Sequence, residues 1–133
     1  MKLELADGTV IKHPNESEIE QAIKTLVPDD DGFAILSHDE MTYIQSTRSS
    51  NFDFELEYQA GDTDQHFRVS EPVPLDNVVE AFKYYARNDP KWKTEFNWER
   101  QAIGTVDRSG CAGVLFIVLV AMIFIPALVC TTL

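Results

Sequence analysis

Residues 52–58, Phe52-Asp53-Phe54-Glu55-Leu56-Glu57-Tyr58 (FDFELEY), alternate apolar and acidic side chains without a break. A period of two puts Phe52, Phe54, Leu56 and Tyr58 on one side of an extended chain and Asp53, Glu55 and Glu57 on the other. One buried and one wet face marks a strand of an antiparallel sheet that is covered on one side only. After Gly61 the chain returns as QHFRVS (65–70), with Phe67 and Val69 inward and His66 and Arg68 outward. Outward acids and outward bases then face each other across the hairpin, at about 0.2–1 kcal/mol per pair.

Working outward, KLEL (2–5) and TVIKH (9–13) flank the turn signal Ala6-Asp7-Gly8 and predict a strand pair. Asn15 and Glu18 have the spacing of a capping box, in which each side chain satisfies a free amide of the other's region. Ile19, Ala22, Ile23 and Leu26 follow at helical spacing, so an amphipathic helix is predicted over 16–27, with Pro28 to end it. Asp29-Asp30-Asp31-Gly32 lacks the alternating ligands and distal Glu of a calcium loop and reads as a solvated turn. FAILSH (33–38) and TYIQST (42–47) form a second strand pair around Asp39-Glu40. A second helix is predicted over 75–88, where Leu75, Val78, Val79, Phe82, Tyr85 and Ala86 share a stripe between Pro74 and the breaker Asn88-Asp89-Pro90. KWKTEFNWER (91–100) then sets Trp92 and Phe96 one helical turn apart, with Trp98 following. The expected fold class is α+β: an antiparallel sheet with two helices on one face, over residues 1–100.

A polar connector, 101–109, leads into CAGVLFIVLVAMIFIPALVC (111–130), and no charged side chain follows Arg108. Residues 110–133 are long enough to span a hydrocarbon core of about 30 Å as one helix and are apolar on every side. The expectation is a C-terminal transmembrane helix acting as a tail anchor, with the lipid bilayer as a partner. Lys91, Lys93, Arg100 and Arg108 on its N-terminal side would hold the domain in the cytoplasm, with the C-terminus outside a bacterial inner membrane. Ser109, Gly110 and Gly113 are candidates for helix–helix packing and so for a homo-oligomer. Cys111 and Cys130 would stand about 28 Å apart on such a helix, too far to bond within one chain.

The 133 residues carry 22 acidic and 11 basic side chains, a net charge of −11. That balance disfavours nucleic acid and favours a basic protein partner. The sequence has no glycine-rich phosphate loop and no nucleophile signature, and His13, His38 and His66 have no ligand spacing. No catalytic, cofactor-binding or metal-binding residue is therefore expected, and the chain reads as a non-enzyme. The candidate partner-binding residues are the acids Asp53, Glu55 and Glu57 and the aromatics Trp92, Phe96 and Trp98. The aromatic group also reads as a lid on the core, and Trp and Tyr dominate interface energetics where they are not buried.

"DGT" (7–9), "IEQAI" (19–23), "YIQ" (43–45), "FELEYQ" (54–59), "HFR" (66–68) and "VVEAFKYYARNDPKWKTEFNWE" (78–99) together resemble a set of small bacterial α+β proteins. Those proteins are of the immunity or accessory type associated with toxin and defence systems. Added to the tail, the resemblance implies a membrane-tethered, non-enzymatic protein-binding module that captures a toxin or a defence-complex subunit. The alternative is a small subunit of an oligomeric membrane complex whose C-terminal helices assemble, as anchor or as membrane-disrupting effector.

Overall fold

The computed structural model describes residues 1–28, 32–50 and 52–102. The chain runs through β1 (Lys2–Leu5), β2 (Val10–Lys12), α1 (Glu16–Lys24), β3 (Phe33–Asp39), β4 (Thr42–Arg48) and β5 (Asp53–Ala60). It continues through β6 (His66–Val69), β7 (Val73–Pro74), α2 (Leu75–Ala86), α3 (Lys91–Thr94) and β8 (Trp98–Arg100). All strand pairs are antiparallel, in the order β2-β1-β3-β4-β5-β6-β8, with β7 added to the edge of β5 beyond β6.

Register decides which side chains meet. Leu36, Ile44, Tyr58 and Phe67 are matched in one row across four strands, and Ser46, Leu56, Val69 and Trp98 belong to the same face. Onto this face pack Ile19, Ala22 and Ile23 of α1, Val78, Val79, Ala81, Phe82 and Tyr85 of α2, and Trp92 of α3. Phe54, Phe82, Leu3, Ile19, Ile23, Leu36 and Ile44 lose essentially all contact with solvent there.

α1 starts as its sequence requires. Asn15 Oδ1 accepts from Glu18 N at 2.9 Å, and Glu18 Oε2 accepts from Asn15 N at 2.8 Å, closing both arms of the capping box. It stops at Lys24, short of the expected residue 27, because Thr25 Oγ1 donates to the carbonyls of Gln21 and Ala22 and so takes up the last turn's acceptors. Leu26 still reaches the core from the loop, and Arg48 fastens that loop by donating to Leu26 O at 2.7 Å. Gly32 is demanded at the loop's far end, since a Cβ there would lie 2.5 Å from Val27 O. Between the helices, Glu20 receives Lys24 at 2.5 Å and Lys83 at 2.8 Å, which holds its carboxyl down at about 2. α2 ends at Ala86, before the expected residue 88, and Asn88 takes the left-handed conformation at φ 56° that reverses the chain.

Several expectations are corrected. Phe52 is not a core residue: it is 80% exposed, because the strand begins one residue later and a turn at Ser50 holds the Phe52 and Asp53 amides on its hydroxyl. Trp92 and Phe96 do not share a helix, since α3 covers only Lys91–Thr94, and Trp98–Arg100 forms the edge strand β8. Among the described residues the fold therefore holds eight strands and three α-helices rather than six strands and two helices.

The C-terminal transmembrane helix is corrected as well. Among the described residues no helix is long and apolar enough to cross a membrane. The longest, α2, has 12 residues, about 18 Å of rise, and carries Asp76, Glu80 and Lys83. Residues 110–133, and with them Ser109, Gly110 and Gly113, lie outside the described residues. The assignments that rested on that helix are withdrawn with it: the bilayer as partner, oligomerisation through the helix, the single-pass membrane location and the membrane-tethered function.

The corrected register has a direct test by urea denaturation. Phe54→Ala should cost about 3–5 kcal/mol of stability, while Phe52→Ala, two residues away, should change it by less than about 0.5 kcal/mol. Equal losses at the two positions would put Phe52 back in the core.

Candidate functional site

Three regions carry the residues singled out by sequence. The first is the face of the sheet away from the helices. Here Glu57 is only 6% exposed, not wet as its alternation implies. Its Oε2 accepts from Gln45 Nε2 at 2.6 Å and lies 3.2 Å from His66 Nε2, and its Oε1 lies 3.8 Å from Arg68 Nε. Arg68 also donates to Glu55 Oε1. Tyr43 OH donates to Gln59 Oε1 at 3.3 Å, and Gln59 Nε2 donates to Met41 O at 3.3 Å. Central strands place these long side chains side by side, so each shields its neighbour and Gln45, Glu57, Gln59 and Tyr43 find partners across a strand rather than in water. His66 Nδ1 and Thr47 Oγ1 have no hydrogen-bond partner.

The acids Asp53, Glu55 and Glu57 are thus not equivalent. Glu57 is buried in the network, and Glu55 is bound to Arg68. Asp53 closes the turn before β5, its backbone oxygen accepting from the Ser49 and Ser50 amides. They do not form one exposed acidic surface.

The second region is aromatic, and here the structure does gather the expected residues. Tyr58 meets Trp92 and Trp98 edge-on at centroid distances of 4.8 and 4.7 Å and stacks on Phe67 at 4.8 Å. Trp92 is 8% exposed and meets Tyr85 at 5.2 Å and Trp98 at 6.0 Å. Trp98 Nε1 donates to Trp92 O at 3.3 Å, tying β8 to α3. Lys93 Nζ lies over both Tyr58 and Trp92, at 5.5 and 5.1 Å, a cation–π contact that covers the cluster from outside. Trp92 closes the core under α2 and α3, while Trp98 and Phe96 remain half-buried at its rim.

The third region lies against that rim. A cleft of about 290 Å³ opens between the β6–β7 connection (Val69–Pro74), Asn77 in the first turn of α2, and Glu95, Phe96 and Asn97 between α3 and β8. Phe96 is held there by Trp98, ring centroids 5.8 Å apart. No cation is among the lining residues, and among the described residues the side chains of Glu71, Asn77, Glu95 and Asn97 make no hydrogen bond or ion pair. Of these residues the sequence reading had singled out only Phe96. Pro72 and Pro74 are the available signal, because two prolines within six residues hold the β6–β7 connection extended, Pro74 itself sitting on the short edge strand β7.

Chemically, the described residues form an acidic α+β domain with a shielded polar sheet face, an aromatic rim and one unneutralised cleft beside it. No group of three or more His, Cys, Asp or Glu side chains among them is placed to hold a metal ion. No known protein family, characterised protein or solved structure matches the chain. The resemblance to immunity-type proteins accordingly rests on its own residues alone.

The polar face predicts two outcomes. Replacing Glu57 by Ala strands Gln45 and His66 in a buried site, so stability should fall by at least about 1–3 kcal/mol, whereas Asp53→Ala should cost far less. Burial, with Glu57 nearby, raises the Tyr43 phenol from 10.0 to about 12. A folded value above the unfolded one favours the protonated phenol, so this contribution is complete below about pH 10 and is lost as pH rises through about 12. Denaturation midpoints measured from pH 9 to 12 should therefore fall more steeply for the native chain than for Tyr43→Phe.

Proposed function

We propose that this chain is a non-enzymatic recognition domain that takes a cationic side chain of a partner protein into the cleft between β6, α2 and β8. One observation carries the reading. Glu71 and Glu95 line a concave site with no cation and no hydrogen-bond donor spent on them, whereas Glu16, Glu20, Glu55 and Glu57 each have a basic partner. Like charges along the walls of a cleft focus the field and attract the opposite sign. At about 290 Å³ the cleft is at the lower limit of ligand pockets, roughly 300–1,000 Å³. That size suits one inserted side chain of a larger partner better than a free ligand.

A second role for one carboxylate has its own support. α2 begins at Pro74, which offers no side chain to cap the first-turn amides, and a nearby negative charge such as Glu71 stabilises a helix N-terminus by about 0.3–1 kcal/mol. The two roles separate experimentally. A short peptide alternating Gly with Lys and Arg, titrated into isotopically labelled protein, should shift amides of residues 69–77 and 95–97. Glu71→Gln with Glu95→Gln should abolish those shifts while lowering stability by no more than about 1 kcal/mol. Shifts that persist in the double variant, or that spread evenly over the acidic surface, would overturn the proposal.

A further inference from the structure

Resting on the cleft as the binding site, we infer that its occupant is arginine and not lysine. The walls are of two kinds. Phe96 supplies a half-buried aromatic ring, fixed by its contact with Trp98, and Pro72 and Pro74 add apolar surface to the lining. The polar part consists of two carboxylates, Glu71 and Glu95, and two carboxamides, Asn77 and Asn97, none of them engaged elsewhere. A lysine ammonium is a compact, strongly hydrated point charge, satisfied by one carboxylate and water. A guanidinium is planar and weakly hydrated, stacks on aromatic faces and directs five N–H donors in a fixed plane. Two carboxylates and two carboxamide oxygens from three separate segments offer more acceptors than the three donors of an ammonium can use, and enough for the five of a guanidinium. Elsewhere on the aromatic group a cation already covers the rings, Lys93 lying over Tyr58 and Trp92, so the ring alone attracts either cation and the acceptors around it must make the choice. Phe96 is the ring of this group that faces the cleft.

The test uses the full chain and three capped tripeptides, Gly-Arg-Gly, Gly-Lys-Gly and Gly-citrulline-Gly, followed by amide shifts of residues 69–77 and 95–97. The arginine peptide should bind at least about five-fold more tightly than the lysine peptide, the scale of one exposed cation–π contact, and citrulline, planar but uncharged, should not bind measurably. Phe96→Leu should weaken arginine binding more than lysine binding and so erase the arginine advantage. Because that ring also packs on Trp98, Asn77→Ala on the exposed side of α2 serves as a second variant and should likewise reduce the ratio of arginine to lysine affinity. Equal binding of arginine and lysine overturns this inference and leaves the cleft as a general cation site. Absence of binding by both overturns the proposed function as well.

Discussion

Strand β5 is hydrogen-bonded by β4 along one edge and by β6 and then β7 along the other, so its register sets the orientation of three neighbours. Phe54, Leu56 and Tyr58 point to the helices, and each draws a different layer of the molecule together. Phe54 sits beside Val73, ahead of α2, and Leu56 lies opposite Ser46 in the centre. Tyr58 gathers Phe67, Trp92 and Trp98 around one ring. A slip of one residue would send Glu55, Glu57 and Gln59 into the apolar layer, a cost no neighbouring cation could offset. The fold depends on that single strand being unable to shift.

The same strand explains what could be read from sequence. Alternation in FDFELEY correctly gives the strand, its antiparallel neighbours and the inward side of Phe54, Leu56 and Tyr58, because period-two patterning reports local geometry directly. It misleads at both ends of the pattern. Phe52 continues the alternation but belongs to a turn built by Ser50, a contact between side chain and backbone that leaves no periodic trace. Glu57 continues the acidic row but is buried, since its shielding comes from Gln45 and His66 on other strands. The Asn15–Glu18 capping box is legible because both partners lie within one turn, whereas the end of α1 depends on Thr25 hydrogen-bonding backwards.

The cleft was illegible for a related reason. Its wall comes from three segments, Val69–Pro74, Asn77 and Glu95–Asn97, and β8 brings the last of them beside the first by pairing with β6. Nothing in KWKTEFNWER distinguishes a helix that continues from one that breaks after four residues into an edge strand. The break is what turns Phe96 toward the β6–β7 connection and Trp98 back onto Tyr58. The expected aromatic patch is therefore divided: Trp92 is committed to the core, Trp98 joins core to edge, and Phe96 alone lines open space.

That division also bears on where an acidic surface can act. The alternating acidic row of β5 is the charge the sequence pattern sets on one face, yet in the fold it is largely spent there: Arg68 reaches Glu55 and Glu57, and His66 and Gln45 complete the shell of Glu57. A partner approaching that face would meet groups that must first break bonds with one another, and a buried acid gives up its partners only at a desolvation cost. At the cleft the opposite holds. Among the described residues Glu71 and Glu95 have no partner to lose, and Phe96 stands in the same cleft. On the proposed reading, a partner would meet the carboxylates that the fold leaves uncommitted at the cleft rather than the acidic row of β5.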